Sequence, residues 1–315
     1  LLAIESIYQS QGRVDEYIDF ADKAGVIKDK SDGEKEAMYF NAAEQIFMTE
    51  NYNKALTSLM AYLERYPSGQ KVPAAEFYVA ECYRNIGKKE QACDWYTKSL
   101  SRGSESSFAE TAMLNFSRLS YDLQRYKDAY GGYSSLLEDA RIDNNRHTAR
   151  VGMLRSAFKA GDWTSAISCA DRVREDSKST AEEIREAEYS KAKSLLSMNE
   201  RSAAYEIFAA LSARPSTSEG AEAAYMIILD AYDQGKYDSV EKKIYAFAEK
   251  AGDQSYWLAK AFIVLGDSFA EQDNLQQAKA TFESVLNGYK PASGKSDDVL
   301  DNVRMRLDKL KNMER

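Results

Sequence analysis

A repeating pattern of small, apolar and polar residues runs along most of the chain. Seven segments begin with a small or polar pair and reach an alanine or valine after a fixed interval. We call these residues the anchors, and they are Ala55, Ala92, Ala129, Ala166, Ala204, Val240 and Ala278. Successive anchors are 37, 37, 37, 38, 36 and 38 residues apart, which predicts internal repeats.

Other columns of the repeat predict its secondary structure. Seventeen residues before the anchors, six of the seven positions are alanine, and apolar residues predominate four and seven residues after the anchors. Offsets of four and seven lie on one stripe of an α-helix. Polar turns that carry Gly87, Gly161 or Gly235 separate two such helices. Each repeat is therefore predicted to be a helical hairpin, and hairpins must stack to bury their second faces.

The best example of the repeat is AAEFYVAECYRNIGKKEQACDWYTKSL (74–100), with Ala80, Tyr83, Gly87, Ala92 and Tyr96 at its key positions. This pattern resembles the tetratricopeptide repeat. The resemblance implies an all-α fold, a right-handed superhelix of about eight hairpins followed by a capping helix. The long period and the YP element that ends at Pro67 are similar to bacterial cell-envelope members of the family, the outer-membrane assembly lipoproteins and Tol–Pal-associated proteins.

The two ends of the chain extend the pattern. An eighth copy falls in register around Tyr17, so a solenoid is predicted over residues 1–295. Residues 296–315 predict one amphipathic capping helix, with Ser296 or Asp297 as its N-cap. Because Leu1 would already lie inside a helix, we expect the natural protein to continue N-terminally.

Composition narrows the function classes. The net charge of −8 argues against a general nucleic-acid binder, and no apolar run reaches the length of a membrane span. The chain has one histidine, His147, and no CxxC, HExxH or phosphate-loop motif. Cys82 and Cys93 are interpreted as two packed thiols, with a disulfide as the alternative. We therefore predict a non-catalytic protein without a cofactor or metal.

One set of residues predicts a binding site. In tetratricopeptide proteins the face of the first helix that points away from the second helix lines a groove. The positions fifteen, eleven and eight residues before the anchors would form this face, and many carry an aromatic or basic residue. These candidates are Phe40, Phe77, Arg84, Arg118, Tyr121, Arg155, Phe158, Tyr189, Lys193, Tyr225 and Tyr232. The basic residues among them suit an acidic peptide. In the alternative interpretation the aromatic rings pack between repeats and the charges are solvated.

The predicted function is a scaffold that binds a protein or peptide partner. The cell-envelope resemblance implies a role in envelope assembly or maintenance, in the periplasm or at the envelope. The alternative is a cytoplasmic regulatory or adaptor module attached to another domain.

Overall fold

The computed structural model describes Ile4, Ile7, Tyr8, Gln11 and residues 13–27, 31–103, 107–292 and 297–313. This part of the chain folds into α-helices and contains no β-strand, which confirms the all-α prediction. In chain order the helices are α1 (Val14–Lys23), α2 (Asp32–Met48), α3 (Tyr52–Arg65), α4 (Val72–Asn85), α5 (Lys89–Leu100), α6 (Ala109–Asp122), α7 (Tyr126–Asp139), α8 (Asp143–Ala160), α9 (Trp163–Glu175), α10 (Ala181–Ser197), α11 (Arg201–Leu211), α12 (Ser218–Asp233), α13 (Tyr237–Ala248), α14 (Ser255–Glu271), α15 (Leu275–Gly288) and α16 (Val299–Met313).

The chain divides into two compact units, Leu1–Ala160 and Gly161–Arg315. The first unit holds α1 to α8 and the second α9 to α16. Within each unit, consecutive helices pack against each other, as stacked hairpins require. The domain bounds predicted from the sequence, 1–295 and 296–315, stay a prediction.

The columns of the repeat form the core of both units. All seven anchors have no solvent exposure, and Tyr17, the anchor of the eighth copy, is 2% exposed. The alanine column seventeen residues earlier is buried, as is the apolar column four residues after the anchors. Small residues let the helix backbones approach, and larger ones fill the spaces that remain. The predicted repeat is thus confirmed as a packing unit.

The turn inside each hairpin has a fixed backbone conformation. Gly87, Gly161 and Gly235, each five residues before an anchor, have φ of +80°, +73° and +69°. The amide that follows the left-handed residue donates back to the helix, as from Lys88 to the Tyr83 carbonyl at 2.9 Å. This is the Schellman arrangement that satisfies the last carbonyls of a helix.

The C-terminal helix α16 closes the second unit. Its Val299, Val303, Leu307 and Leu310 side chains are buried in a cluster with residues of α14 and α15. The Asp297 carboxylate accepts from the Val299 amide at 3.1 Å, which matches one of the two predicted N-caps. The other, Ser296, lies outside the described residues. No helix in the described part of the chain combines the length and apolar character needed to cross a membrane.

The cysteines Cys82 and Cys93 are buried thiols, in agreement with the preferred interpretation. The Sγ of Cys93 lies 3.9 Å from the Ser120 hydroxyl. Burial raises the pKa of Cys82 to about 12, so this thiol stays protonated at neutral pH.

Candidate protein-interaction site

The candidate residues lie on the first helices of the hairpins. In the first unit these helices are α2, α4, α6 and α8, and in the second they are α10, α12 and α14. Within one helix, the positions fifteen, eleven and eight residues before the anchor are four and three residues apart, so they share one side. We call this side the first-helix face and describe it for each unit separately.

Two candidate aromatic rings of the first unit are part of its core. Phe40 and Phe77 are 4% and 6% exposed. The Phe77 ring stacks on that of Phe108, with centroids 4.8 Å apart and planes at 21°, and the Phe40 ring meets the edge of Tyr62 at 5.8 Å. Packing between repeats, the alternative interpretation, describes these two side chains.

Acidic residues of the first-helix face form hydrogen bonds to the next repeat. Glu44 accepts from the Tyr78 hydroxyl at 2.8 Å. Glu81 is 6% exposed and accepts from the Asn115 amide at 2.7 Å and from the Tyr96 hydroxyl. Burial, reinforced by the adjacent carboxylates, raises the pKa of both tyrosines. These two carboxylates therefore act inside the repeat stack.

Arg84, the first basic candidate, is exposed but belongs to the same network. Its guanidinium donates to a Glu81 oxygen at 2.7 Å. Part of its positive charge is thereby balanced within α4.

Arg118 is placed differently from Arg84. It is exposed on α6, and no carboxylate of the described residues lies within ion-pair distance of it. Burial raises the pKa of Tyr133, while the positive charges of Arg118 and Arg155 oppose this rise. The candidates Tyr121 and Phe158 are half-buried on the same helices. The positive charges of two arginines from neighbouring repeats therefore act on the same tyrosine hydroxyl.

The Tyr133 ring packs closely against the backbone of α8 at Gly152. A Cβ added at Gly152 would lie 2.5 Å from the ring, which real contacts never allow. The missing side chain lets α8 approach the ring closely. Gly152 stands fourteen residues before Ala166 and three residues before Arg155, so the close approach occurs one helical turn from Arg155.

In the second unit, a carboxylate neutralises the predicted basic candidate. Glu222 of α12 accepts from Lys193 Nζ at 2.8 Å and from the Tyr189 hydroxyl at 2.7 Å, both on α10. The Lys193 and Glu222 side chains are 33% and 15% exposed. Lys193 therefore offers a partner less attraction than its position in the sequence suggested.

The remaining candidates, Tyr225 and Tyr232, are half-buried on α12. The Tyr225 ring contacts Trp257 at 5.4 Å, and Tyr232 contacts Tyr237 at 5.8 Å. Both rings therefore pack against neighbouring helices while part of their surface stays accessible.

Sequence reasoning missed Lys260, which lies among three aromatic rings. Its Nζ is 5.6 Å from the ring centre of Tyr225, 5.3 Å from Tyr256 and 5.9 Å from Trp257. It also donates to Asp298 at 3.3 Å. The sequence contained a signal for Lys260, because it stands eighteen residues before its anchor. This is the same column as Glu222, which contacts two of the candidate residues. Among the described residues, no group of three His, Cys, Asp or Glu side chains is placed to hold a metal ion.

A protein-family model described as tetratricopeptide repeat matches residues 256–290, which span α14 and α15. None of the curated proteins matches the chain. Among solved structures, a tetratricopeptide repeat protein from Parabacteroides merdae is 16% identical, with a TM-score of 0.44 over 88% of this chain and 99% of that one.

Two further solved structures align with the chain. The C-terminal part of a TPR repeat-containing protein from Cytophaga hutchinsonii is 16% identical, with a TM-score of 0.51 over 84% of this chain and 98% of that one. YrrB, described as a TPR protein with an unusual peptide-binding site, is 15% identical, with a TM-score of 0.32 over 73% and 91%. The family match thus covers one hairpin, α14 and α15, and the likeness to the Cytophaga structure supports a helical-repeat fold.

Proposed function

We propose that the chain is a non-catalytic scaffold whose partner is a protein with an acidic segment, held on the first-helix face of the first unit. The tetratricopeptide fold suggests a protein-interaction scaffold. The observation that carries the acidic segment is Arg118, an exposed guanidinium without a carboxylate partner among the described residues.

The column that contains Arg118 supports this proposal. The two preceding members of the column, Glu44 and Glu81, are used in hydrogen bonds between repeats. The next two, Arg118 and Arg155, are basic and exposed. Arginine binds carboxylates through two parallel hydrogen bonds, so the exposed Arg118 suits an acidic side chain or a chain terminus.

The chemistry around Arg118 also suits a protein rather than a small anion. Tyr121 and Phe158 are half-buried and add apolar surface on the same helices. Interfaces enriched in arginine and aromatic residues bind protein segments, because the rings contribute buried area and the charges select the partner.

The test is peptide selection on the purified protein. Peptides from a random displayed library are selected on the wild type, on the Arg118→Glu/Arg155→Glu variant and on Arg172→Glu. Arg172 is an exposed arginine of α9, a second helix, and serves as the matched control. We expect the wild type and the control to enrich peptides rich in Asp and Glu, and the double variant to lose this enrichment.

The same experiment can contradict the proposal. If the wild type selects peptides without acidic enrichment, or if the double variant keeps the enrichment while its helical circular dichroism is unchanged, the acidic-segment proposal is wrong. Adding Lys193→Glu to the double variant should have little further effect, because Lys193 is paired with Glu222.

We further propose that the scaffold acts in the bacterial cell envelope. Support comes from the repeat period of 36 to 38 residues and the YP element at Pro67. The N-terminal sequence of the whole gene product, together with fractionation of the source cells, tests this. An export or lipoprotein signal is expected, and a cytoplasmic product attached to another domain would favour the adaptor alternative.

A further inference from the structure

A second candidate site lies in the second unit, away from the first-helix face. The loop after α11, the outer side of α12 and the C-terminal half of α13 enclose a depression of about 200 Å³. We call it the α12–α13 depression. Its floor is apolar and consists of Pro215, Ile227, Ile228 and Phe247.

The α12–α13 depression does not overlap the site proposed above. Ile227 stands thirteen residues before its anchor, two positions from the columns at fifteen and eleven. At about 100° per residue, two positions correspond to about 200° around the helix. Ile227 therefore lies on the side of α12 opposite Tyr225 and Leu229, and a ligand here would leave the first-helix face open.

Two lysines line the depression: Lys243 lies on α13, and Lys250 lies in the turn that follows this helix. Neither forms an ion pair with a carboxylate of the described residues. The acids of α12 are engaged elsewhere. Glu222 and Glu219 pair with Lys193 and Arg185 of α10, at 2.8 and 3.9 Å, and Asp230 and Asp233 pair with Arg201 of α11. In a chain with a net charge of −8, the depression combines an apolar floor with two uncompensated positive charges.

The equivalent depression one repeat earlier provides an internal comparison. It also has a volume of about 200 Å³ and is lined by α9, α10 and α11. Its two cations, Lys191 and Arg174, both pair with Asp171, at 2.6 and 3.4 Å, and Glu188 and Glu206 also line it. The charge there is satisfied within the chain, so two lysines without acidic partners distinguish the α12–α13 depression from its neighbour.

We propose that the α12–α13 depression binds a protein segment in which one apolar side chain stands between two acidic residues. The apolar side chain covers Ile227, Ile228 and Phe247, and the two carboxylates pair with Lys243 and Lys250. A volume near 200 Å³ is below that of sites for drug-sized ligands, so it suits a single side chain.

The spacing of the lysines defines the motif further. Lys243 and Lys250 are seven residues apart, and because the helical backbone conformation of α13 continues through its C-cap Glu249, they are about 10 Å apart along the helix axis. In an extended segment, alternate side chains share one face, and residues four positions apart are separated by about 13 Å, which the long lysine side chains can span. The segment therefore carries acidic residues at positions i and i+4, with the apolar residue at i+2.

The test uses a defined peptide and a local readout. The peptide acetyl-Gly-Glu-Ser-Leu-Ser-Glu-Gly-amide is titrated into the whole protein with ¹³C-labelled isoleucine methyl groups. We expect saturable shifts of the Ile227 and Ile228 signals, while the signals of Ile86 and Ile184 stay in place. Peptides with glycine for leucine, or lysine for both glutamates, should bind at least about tenfold more weakly.

Protein variants separate charge from shape. Lys243→Glu/Lys250→Glu should weaken binding at least about tenfold, since each pair contributes a modest but additive gain. Ala246→Trp fills the depression from an exposed position without changing charge and should block binding. The control Lys242→Glu, exposed on the same helix, should change affinity less than about twofold.

Several outcomes would overturn the proposal. They are the absence of methyl shifts at millimolar peptide, equal affinity for the double lysine variant, and binding of octanoate at these signals without binding of the peptide. The last result would assign the depression to a free aliphatic carboxylate. Arg118→Glu should leave the peptide titration unchanged, so failure here and failure of the first-helix site are distinguishable.

Discussion

At the scale of single residues, the fifth position before each anchor determines how every hairpin turns. This position has positive φ in all seven repeats. Three of the residues are glycines, and the other four are Glu50, Gln124, Asn199 and Asp273, with φ between 57° and 64°. The left-handed conformation costs a residue with a Cβ roughly 1–2 kcal/mol, and Asn and Asp less than others. The turn therefore imposes its conformation on residues that disfavour it.

Glycine at this position is predicted to stabilise the protein. Gln124 is exposed, so Gln124→Gly should raise the free energy of unfolding by about 0.5–1 kcal/mol, after the extra entropy of glycine in the unfolded chain is subtracted. Asn199→Gly should have a smaller effect because asparagine tolerates this conformation. Gly87→Ala should be destabilising by about 1 kcal/mol. Urea unfolding measures all three, and a destabilised Gln124→Gly variant would contradict the argument.

Two neighbouring glycines of α7 provide a matched pair. A Cβ at Gly131 would contact nothing within 4 Å, whereas at Gly132 it would lie 2.4 Å from the buried Ser117 hydroxyl. Gly131→Ala should therefore stabilise by about 0.5–1 kcal/mol through helix propensity. Gly132→Ala should destabilise by about 1–3 kcal/mol through overpacking. Thermal unfolding of both variants checks this, and changes of the same sign would show that Gly132 is not a close-packing position.

At the scale of helices, buried carboxylates connect one repeat to the next. Glu81 of α4 reaches Tyr96 of α5 and Asn115 of α6, so one side chain joins three helices. Glu36 does the same in the preceding repeat, where it accepts from the Tyr62 hydroxyl at 2.7 Å and the Lys71 amide at 3.0 Å. Buried polar groups of this kind are costly when a partner is removed.

Removal of the Glu81 carboxylate should test this connection. Glu81→Leu leaves the Tyr96 hydroxyl without its acceptor, removes the shorter of the two Asn115 hydrogen bonds and breaks the ion pair with Arg84, so it should cost about 2–4 kcal/mol of unfolding free energy. Adding Tyr96→Phe removes one stranded donor, so the double variant should lose less than the sum of the single losses. Urea unfolding of the four proteins gives the coupling energy. Additive losses would mean that the network contributes no more than separate contacts.

The helices were predictable because their columns recur, and the contacts between repeats were not. An alanine that recurs every 37 residues indicates that two helix backbones approach each other closely at that position of each repeat. The burial of Phe77 depends instead on Phe108, which lies in the polar joint before α6 and belongs to no column. The pairing of Lys193 with Glu222 joins residues 29 positions apart on different helices, and alignment of the columns does not show which charges meet. The sequence therefore shows which candidates are basic, but only the structure shows which of them form an ion pair with a carboxylate.

At the scale of the whole molecule, each unit is a stack in which a repeat contacts its immediate neighbours. The anchors Ala55, Ala92 and Ala129 are 37 residues apart, and each is fully buried between the same kinds of helix. Repeats of equal length with equal columns are interchangeable in such a stack. The consequence is that one complete repeat can be removed without changing the type of contact that holds its neighbours.

Deletion of residues 88–124 is predicted to leave a folded protein. The deletion removes 37 residues, including α5 and α6, and joins Gly87 directly to Arg125. Gly87 and Gln124 have the same left-handed conformation, so the turn into α7 is preserved. Helix α7 then takes the place of α5 beside α4, and Tyr133 occupies the column position of Tyr96, four residues after the anchor. Because stability sums over neighbouring interfaces, the shortened protein should unfold at a lower denaturant midpoint but still cooperatively.

Deletion of residues 89–106, which removes α5 alone, is the control and should aggregate, since α4 and α6 lose the helix between them. Circular dichroism and size-exclusion chromatography compare the two, and equal behaviour would show that the 37-residue repeat is not the unit of folding.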